Sequence, residues 1–242
     1  MQNTTSEVMT SEEQKQFEEF KKLKLIEQTQ AKIAKIECDC LSPTTEKSAL
    51  KQLCRDADRL RMGGIVVLPA YVKACVGYLG NDPQCSLVAA ISYPHGSDVT
   101  EVKAAAVKRA VRDGVDEVEV CVPYAVIKEG NMAYFKRECR KLAKAVKPRA
   151  LRLTIDCSLL SEREVLRACA CAADNGVNVI RITECGAPLI AAVKNAVKDK
   201  CLIKTDAHSE SEIENAVTMG ASLVNCRCAV ELCSHMLAEA QD

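Results

Sequence analysis

Short runs of apolar, largely β-branched residues recur along the chain, at 36–41, 64–68, 87–92, 117–122, 151–156, 177–183, 202–205 and 223–226. Each is followed by a stretch in which apolar positions return every three or four residues, the spacing of one helix face. Polar start signals precede several of these stretches: Ser42-Pro43-Thr44, Asp98, Ser161 with Glu164, and Ser209 with Glu212. Glycines close several helices, at Gly63-Gly64, Gly114, Gly176 and Gly220. Strand and helix thus alternate eight times, and the pattern predicts an α/β fold of the (β/α)8 barrel type. An open doubly wound sheet would require a glycine-rich first strand–helix turn, and none is present. Ahead of the barrel, at about 36–238, Phe17, Phe20, Leu23 and Ile26 predict a helix over 11–32 that caps one barrel end or offers a partner surface. Residues 1–10 are polar and are expected to be disordered, leaving one domain over 11–242.

Composition narrows the function. Hydrophobic residues make up 48% of the 242 positions and charged residues 27%, which suits a soluble globular domain. Thirty-three Lys and Arg balance thirty-three Asp and Glu, so the positive surplus of a nucleic-acid binder is missing. The apolar runs are too short to cross a bilayer, and no apolar leader opens the chain. Fifteen cysteines, an odd number without a secretion signal, imply reduced thiols and a cytoplasmic setting. They form three Cys-x-Cys pairs (Cys38/Cys40, Cys169/Cys171, Cys226/Cys228) but no CxxC, so neither a metal site nor a cofactor is expected.

In a barrel, active residues sit at the C-terminal strand ends and point inward, so a charge inside a strand is informative. Glu119 lies between Val118 and Val120, Arg181 between Ile180 and Ile182, and Lys204 follows Ile203. Alternation sends the apolar neighbours to the helices and the three charges to the lumen. They form either a catalytic constellation or an ion network that fills the space.

Several segments resemble deoxyribose-phosphate aldolase, a class I aldolase with this fold. Ser92-Tyr93-Pro94-His95-Gly96 is similar to the family's aromatic-Pro-His-Gly motif. Glu117-Val118-Glu119 with Pro123-Tyr124 and Gly130-Asn131 resembles its Glu-Val-Asp strand and the following loop. Val67-Leu68-Pro69 with Tyr71-Val72, and Leu53-Cys54 with Ala57, match further segments. The resemblance implies a strand 6 lysine that forms an imine with the substrate carbonyl. It also implies a strand 7 lysine that tunes the first, a strand 4 aspartate, and glycines and serines after strands 7 and 8 that hold phosphate.

The sequence departs from that pattern at each of these places but one. Arg181 stands at the imine lysine, and a guanidinium supplies no neutral amine. Glu119 stands at the aspartate, while Lys204 is kept. Asp206-Ala207-His208 replaces a Gly-Gly, and Asn225-Cys226-Arg227-Cys228 replaces Gly-x-Ser-Ser. Two expectations follow. One is a barrel that has lost aldol cleavage and works by binding. Its Thr183, Asp206, His208 and Arg227 would meet a small anionic ligand, and its basic helix face of Arg137, Arg140, Lys141 and Lys144 would meet an acidic protein. A cytoskeletal partner is the analogy with glycolytic aldolases, and the family also suggests a homodimer. The other is an active lyase in which Lys204 is the Schiff-base lysine and Arg181 lowers its pKa. His95 is expected to make a structural hydrogen bond, and His235 to face solvent.

Overall fold

The eight strands of the computed structural model, which describes residues 11–241, close into one parallel barrel in sequence order. The polar tail at 1–10 lies outside the described residues. The chain runs α1 (Ser11–Ile33), β1 (Ile36–Cys40), α2 (Lys47–Leu60), β2 (Gly64–Val67), α3 (Val72–Leu79), β3 (Ser86–Ile91), α4 (Thr100–Asp113) and β4 (Glu117–Cys121). It continues through α5 (Tyr124–Lys128), α6 (Met132–Ala145), β5 (Ala150–Asp156), α7 (Glu162–Ala173), β6 (Val179–Thr183) and α8 (Ala187–Val197). The last elements are β7 (Leu202–Asp206), α9 (Glu210–Thr218), β8 (Leu223–Asn225) and α10 (Ala229–Gln241). Every strand lies within two residues of the run that predicted it.

Parallel strands are covered on their outer face by helices, which is why the runs are rich in valine and isoleucine. Ile36, Val118, Val120, Ile180, Ile182 and Ile203 are all buried in that outer core. The inner face differs around its circumference: Val66, Val88 and Ala90 form a small apolar cluster of their own on β2 and β3. The rest of the lumen carries charged and polar side chains, Thr154 and Asn225 among them.

The start signals fare unevenly. Ser161 and Glu164 close a full capping box on α7, and the Ser209 hydroxyl accepts from the Glu212 N–H on α9. Ser42 and Asp98 do not cap. α2 begins later, behind Glu46, and α4 begins behind Val99, neither with a side-chain cap. Gly96, at the end of the Tyr93-Pro94-His95-Gly96 segment, has φ +63°, and a Cβ there would stand 1.9 Å from the Val122 carbonyl oxygen. Only glycine allows the loop after β3 to press so closely on the exit of β4.

The N-terminal helix is not the cap that its apolar spacing suggested. Only Thr29 and Ile33 are buried. It packs along α10, and its last turns also reach the end of α2 through Gln30 and α9 through Lys32 with Glu214, while Phe17, Phe20, Leu23 and Leu25 face outward. Lys21 and Lys24 lie over the rings of Phe17 and Phe20. No helix among the described residues is long and apolar enough to cross a membrane.

Candidate active site

Strand alternation puts Glu37 and Asp39 of β1, Glu117 and Glu119 of β4, Arg152 of β5, Arg181 of β6 and Lys204 and Asp206 of β7 toward the barrel axis. They join into one continuous lattice. Arg152 donates to Glu117 at 2.5 and 2.7 Å, and its Nη1 meets both oxygens of Glu37 at 2.8 Å. Lys204 Nζ sits 2.7 Å from Glu37 and 3.3 Å from Glu119. The other Glu119 oxygen accepts from Thr154 at 2.7 Å and from Arg181 at 3.2 Å. Arg181 then donates to Asp39 and to Asp206, each at 2.7 Å. Every polar head of Arg181 is therefore taken by a carboxylate.

Three inward charges were expected, and the structure holds more. Glu37, Asp39 and Arg152 were legible by the same rule, since Ile36, Cys38 and Cys40 alternate with the acids and Leu151, Leu153 and Ile155 alternate with Arg152 and Thr154. A motif-led reading passes over β1 and β5 because neither carries a recognised motif.

Above the lattice, at the C-terminal strand ends, a cavity of about 570 Å³ opens. Thr183, Asp206, His208 and Arg227, the four candidate substrate positions, all line it, and so does Arg181 of the candidate catalytic group. Glu119 and Lys204 do not. Lys204 is 0% exposed, with its ammonium between Glu37 and Glu119. Five carboxylates line the cavity (Asp39, Asp156, Glu184, Asp206 and Glu212) against the two guanidinium groups of Arg181 and Arg227, so its wall favours a small anion poorly. Two buried acceptors here, Asp39 Oδ1 and Asn225 Oδ1, have no donor among the described residues.

Charge and burial oppose each other in the lattice. Burial pushes Glu119 and Glu37 up, but Lys204 with Arg181 beside Glu119, and Lys204 with Arg152 beside Glu37, outweigh it and hold both carboxyls below the ordinary 4.5. At Asp39 burial wins over Arg181 and Lys204, and its carboxyl is raised. Glu37 and Glu119, lowered on folding, contribute stability above about pH 4.5 that is lost as pH falls through their folded values; Asp39 has the opposite sign. Glu119, which its cations hold far below the ordinary value, is the group expected to carry the loss on acidification. The urea midpoint is therefore expected to drop between pH 6 and pH 3, and to drop less steeply in Glu119→Gln. Equal slopes would remove Glu119 from the account.

Outside the lumen, the predicted basic face lies on α6. Arg140 donates to the Asn175 side chain at 2.8 Å, Lys141 pairs with Glu101, and Arg137 stacks over Tyr134. Lys144 is exposed on the same helix. His95 is exposed and makes no hydrogen bond found among the described residues, so the structural bond expected of it is absent. His235 is exposed, as expected, and pairs with Glu239.

The closed parallel barrel in sequence order, with its polar residues gathered at the C-terminal strand ends, makes this chain a (β/α)8 barrel. More particularly, it is a divergent, deoxyribose-phosphate aldolase-like protein. The deoxyribose-phosphate aldolase of Clostridium botulinum strain Okra is 28% identical over 197 residues, covering 78% of this chain and 92% of its own. Deoxyribose-phosphate aldolase 2 of Bacillus licheniformis is 26% identical over 209 residues, covering 82% and 93%. Among solved structures, the aldolase QR15 superposes with a TM-score of 0.80 at 16% identity, over 86% of this chain and 96% of its own. The tetrameric deoxyribose phosphate aldolase of Aeropyrum pernix gives 0.73 at 15%, over 89% and 94%. No protein-family model matches the chain.

Proposed function

We propose that this barrel has given up Schiff-base chemistry and works by binding. One observation carries the reading: at the strand 6 position, facing the cavity, stands a guanidinium fully engaged by Asp39, Glu119 and Asp206. An imine needs a neutral amine that can reach a carbonyl carbon, and a guanidinium remains protonated. Lys204, the remaining lumen lysine, has no path to a substrate in the cavity. Its ammonium is directed at two carboxylates. The binding surface we assign is the outer face of α6, where Arg137, Arg140, Lys141 and Lys144 present cations to an acidic protein.

Reductive trapping tests the loss of chemistry. The protein is incubated with 2-deoxyribose 5-phosphate, or with acetaldehyde, and borohydride is added before the intact mass is taken. The mass is expected to stay unchanged. An adduct mapped to Lys204 would overturn the reading and make this an aldolase whose nucleophile has moved to the neighbouring strand.

A further inference from the structure

The chain spells Cys-x-Cys three times, and the fold treats the three differently. Cys38 and Cys40 lie on β1, whose extended backbone keeps residues two apart well separated. Cys169 and Cys171 lie on α7, where residues two apart point to different faces. Cys226 and Cys228 fall in the turn between β8 and α10, and there the chain doubles back enough to bring the two Sγ atoms to 3.3 Å. A disulfide bond is about 2.05 Å long, so closing this pair asks for side-chain rotation and a small adjustment of the turn, with no strand displaced.

The two thiols also differ in access. Cys226 is buried, and burial pushes its thiol up to about 12. Cys228 is exposed at the start of α10, with its Sγ 3.8 Å from the carbonyl oxygen of His208. One sulfur is thus open to an oxidant and the other is held beside it under cover, the arrangement of an attacked and a resolving cysteine. The other cysteines are buried or half-buried.

The geometry points to Cys226–Cys228 as an oxidation site that closes a reversible disulfide at the cavity mouth, with a hydroperoxide as the oxidant. The Cys228 sulfur attacks the peroxide; an S–O bond forms, the O–O bond breaks, and one molecule of alcohol or water leaves. The Cys226 sulfur then attacks the sulfenic acid; the S–S bond forms, the S–O bond breaks, and water leaves. Two thiols are oxidised and one peroxide is reduced. The ring encloses Arg227, one of the two guanidinium groups on the cavity wall, so closing it changes how that cation is presented. The segment stands where the family resemblance placed a phosphate-holding Gly-x-Ser-Ser. The inference is independent of whether the lumen forms imines.

The full chain is treated with one equivalent of hydrogen peroxide, the peroxide is removed, and the protein is unfolded in denaturant with N-ethylmaleimide so that the buried thiols are also blocked, then digested with trypsin without reductant. Trypsin cuts after Arg227. The expected product is peptides 205–227 and 228–242 held together, or uncut 205–242 lighter by two hydrogens, with Cys233 alkylated in either case. Reductant added before the block restores full alkylation. Cys228→Ser, an exposed and conservative change, is expected to abolish the product and leave Cys226 alkylated. Full alkylation of Cys226 and Cys228 while another cysteine is oxidised would overturn the proposal, as would Cys228 carried to the sulfinic acid with Cys226 still alkylated.

Discussion

Lys204→Met is expected to destabilise the barrel by about 3–5 kcal/mol, the loss seen when one member of a buried ion pair is removed. The side chain is sealed, and its ammonium is the cation that Glu37 and Glu119 share. Methionine fills much of the space but removes one cation from the buried lattice: Glu37 keeps Arg152 and Glu119 keeps Arg181 and Thr154, and the two desolvated carboxylates lose the ammonium that lay between them. For a domain of this size the melting temperature should fall by roughly 6–20 °C. The double variant Lys204→Met/Glu119→Gln should lose less than the sum of its two singles, by about 0.5–3 kcal/mol, because the two changes remove the two halves of one contact and the second takes away a charge the first left with one cation fewer. Urea unfolding of the four proteins measures this. A Lys204→Met protein as stable as its parent would mean that the lattice is not needed for folding, and would return Lys204 to a purely chemical role.

The lattice explains why the sequence was informative about the fold and less so about the site. Barrel topology is written in local signals: β-branched runs, capping at Ser161 and Ser209, glycine stops at Gly114 and Gly220. The strand runs repeat eight times, so an error in one unit leaves the architecture intact. Ser42 and Asp98 show the local error, since polar residues before a helix also serve turns: the Ser42 carbonyl accepts from Thr45 and from the Tyr71 hydroxyl, and does not start α2. The helix at 11–33 shows a second kind. Its apolar spacing is helical, but spacing does not say whether a partner face exists, and most of that stripe is exposed in this chain.

The site depends on pairing across the barrel, and pairing is not local. Arg181 could be read from strand parity, and its register beside Lys204 in β7 and Thr154 in β5 bears this out. That its guanidinium would be divided among Asp39, Glu119 and Asp206 required knowing that β1, β4 and β7 converge on it. The same holds for Lys204. Sequence places it on a strand facing inward, and only the packed barrel shows that it is sealed between Glu37 and Glu119 and does not reach the cavity wall. Three of the four departures from the aldolase pattern, at Arg181, Glu119 and Asp206, look independent along the chain. In space they are one arrangement, since Glu119 and Asp206 are both direct partners of Arg181.

That coupling predicts what happens when the family's lysine is restored. Arg181→Lys returns an amine to strand 6 but places it among Asp39, Glu119 and Asp206. An ammonium reaches fewer of these partners than the planar fork did, and each charged hydrogen bond lost costs about 1.5–3 kcal/mol, so the variant should be less stable than its parent. Neighbouring carboxylates favour the charged form of a lysine, each by a unit or more of pKa, so little free amine is present at neutral pH. Borohydride trapping with acetaldehyde is therefore expected to label Arg181→Lys weakly or not at all. The same lysine combined with Asp39→Asn and Asp206→Asn, which keep the shape and remove two charges, should be labelled at least about tenfold more at pH 7. Strong labelling of Arg181→Lys alone would show that the guanidinium by itself, and not the ring of carboxylates around it, separates this barrel from the imine-forming enzymes it resembles.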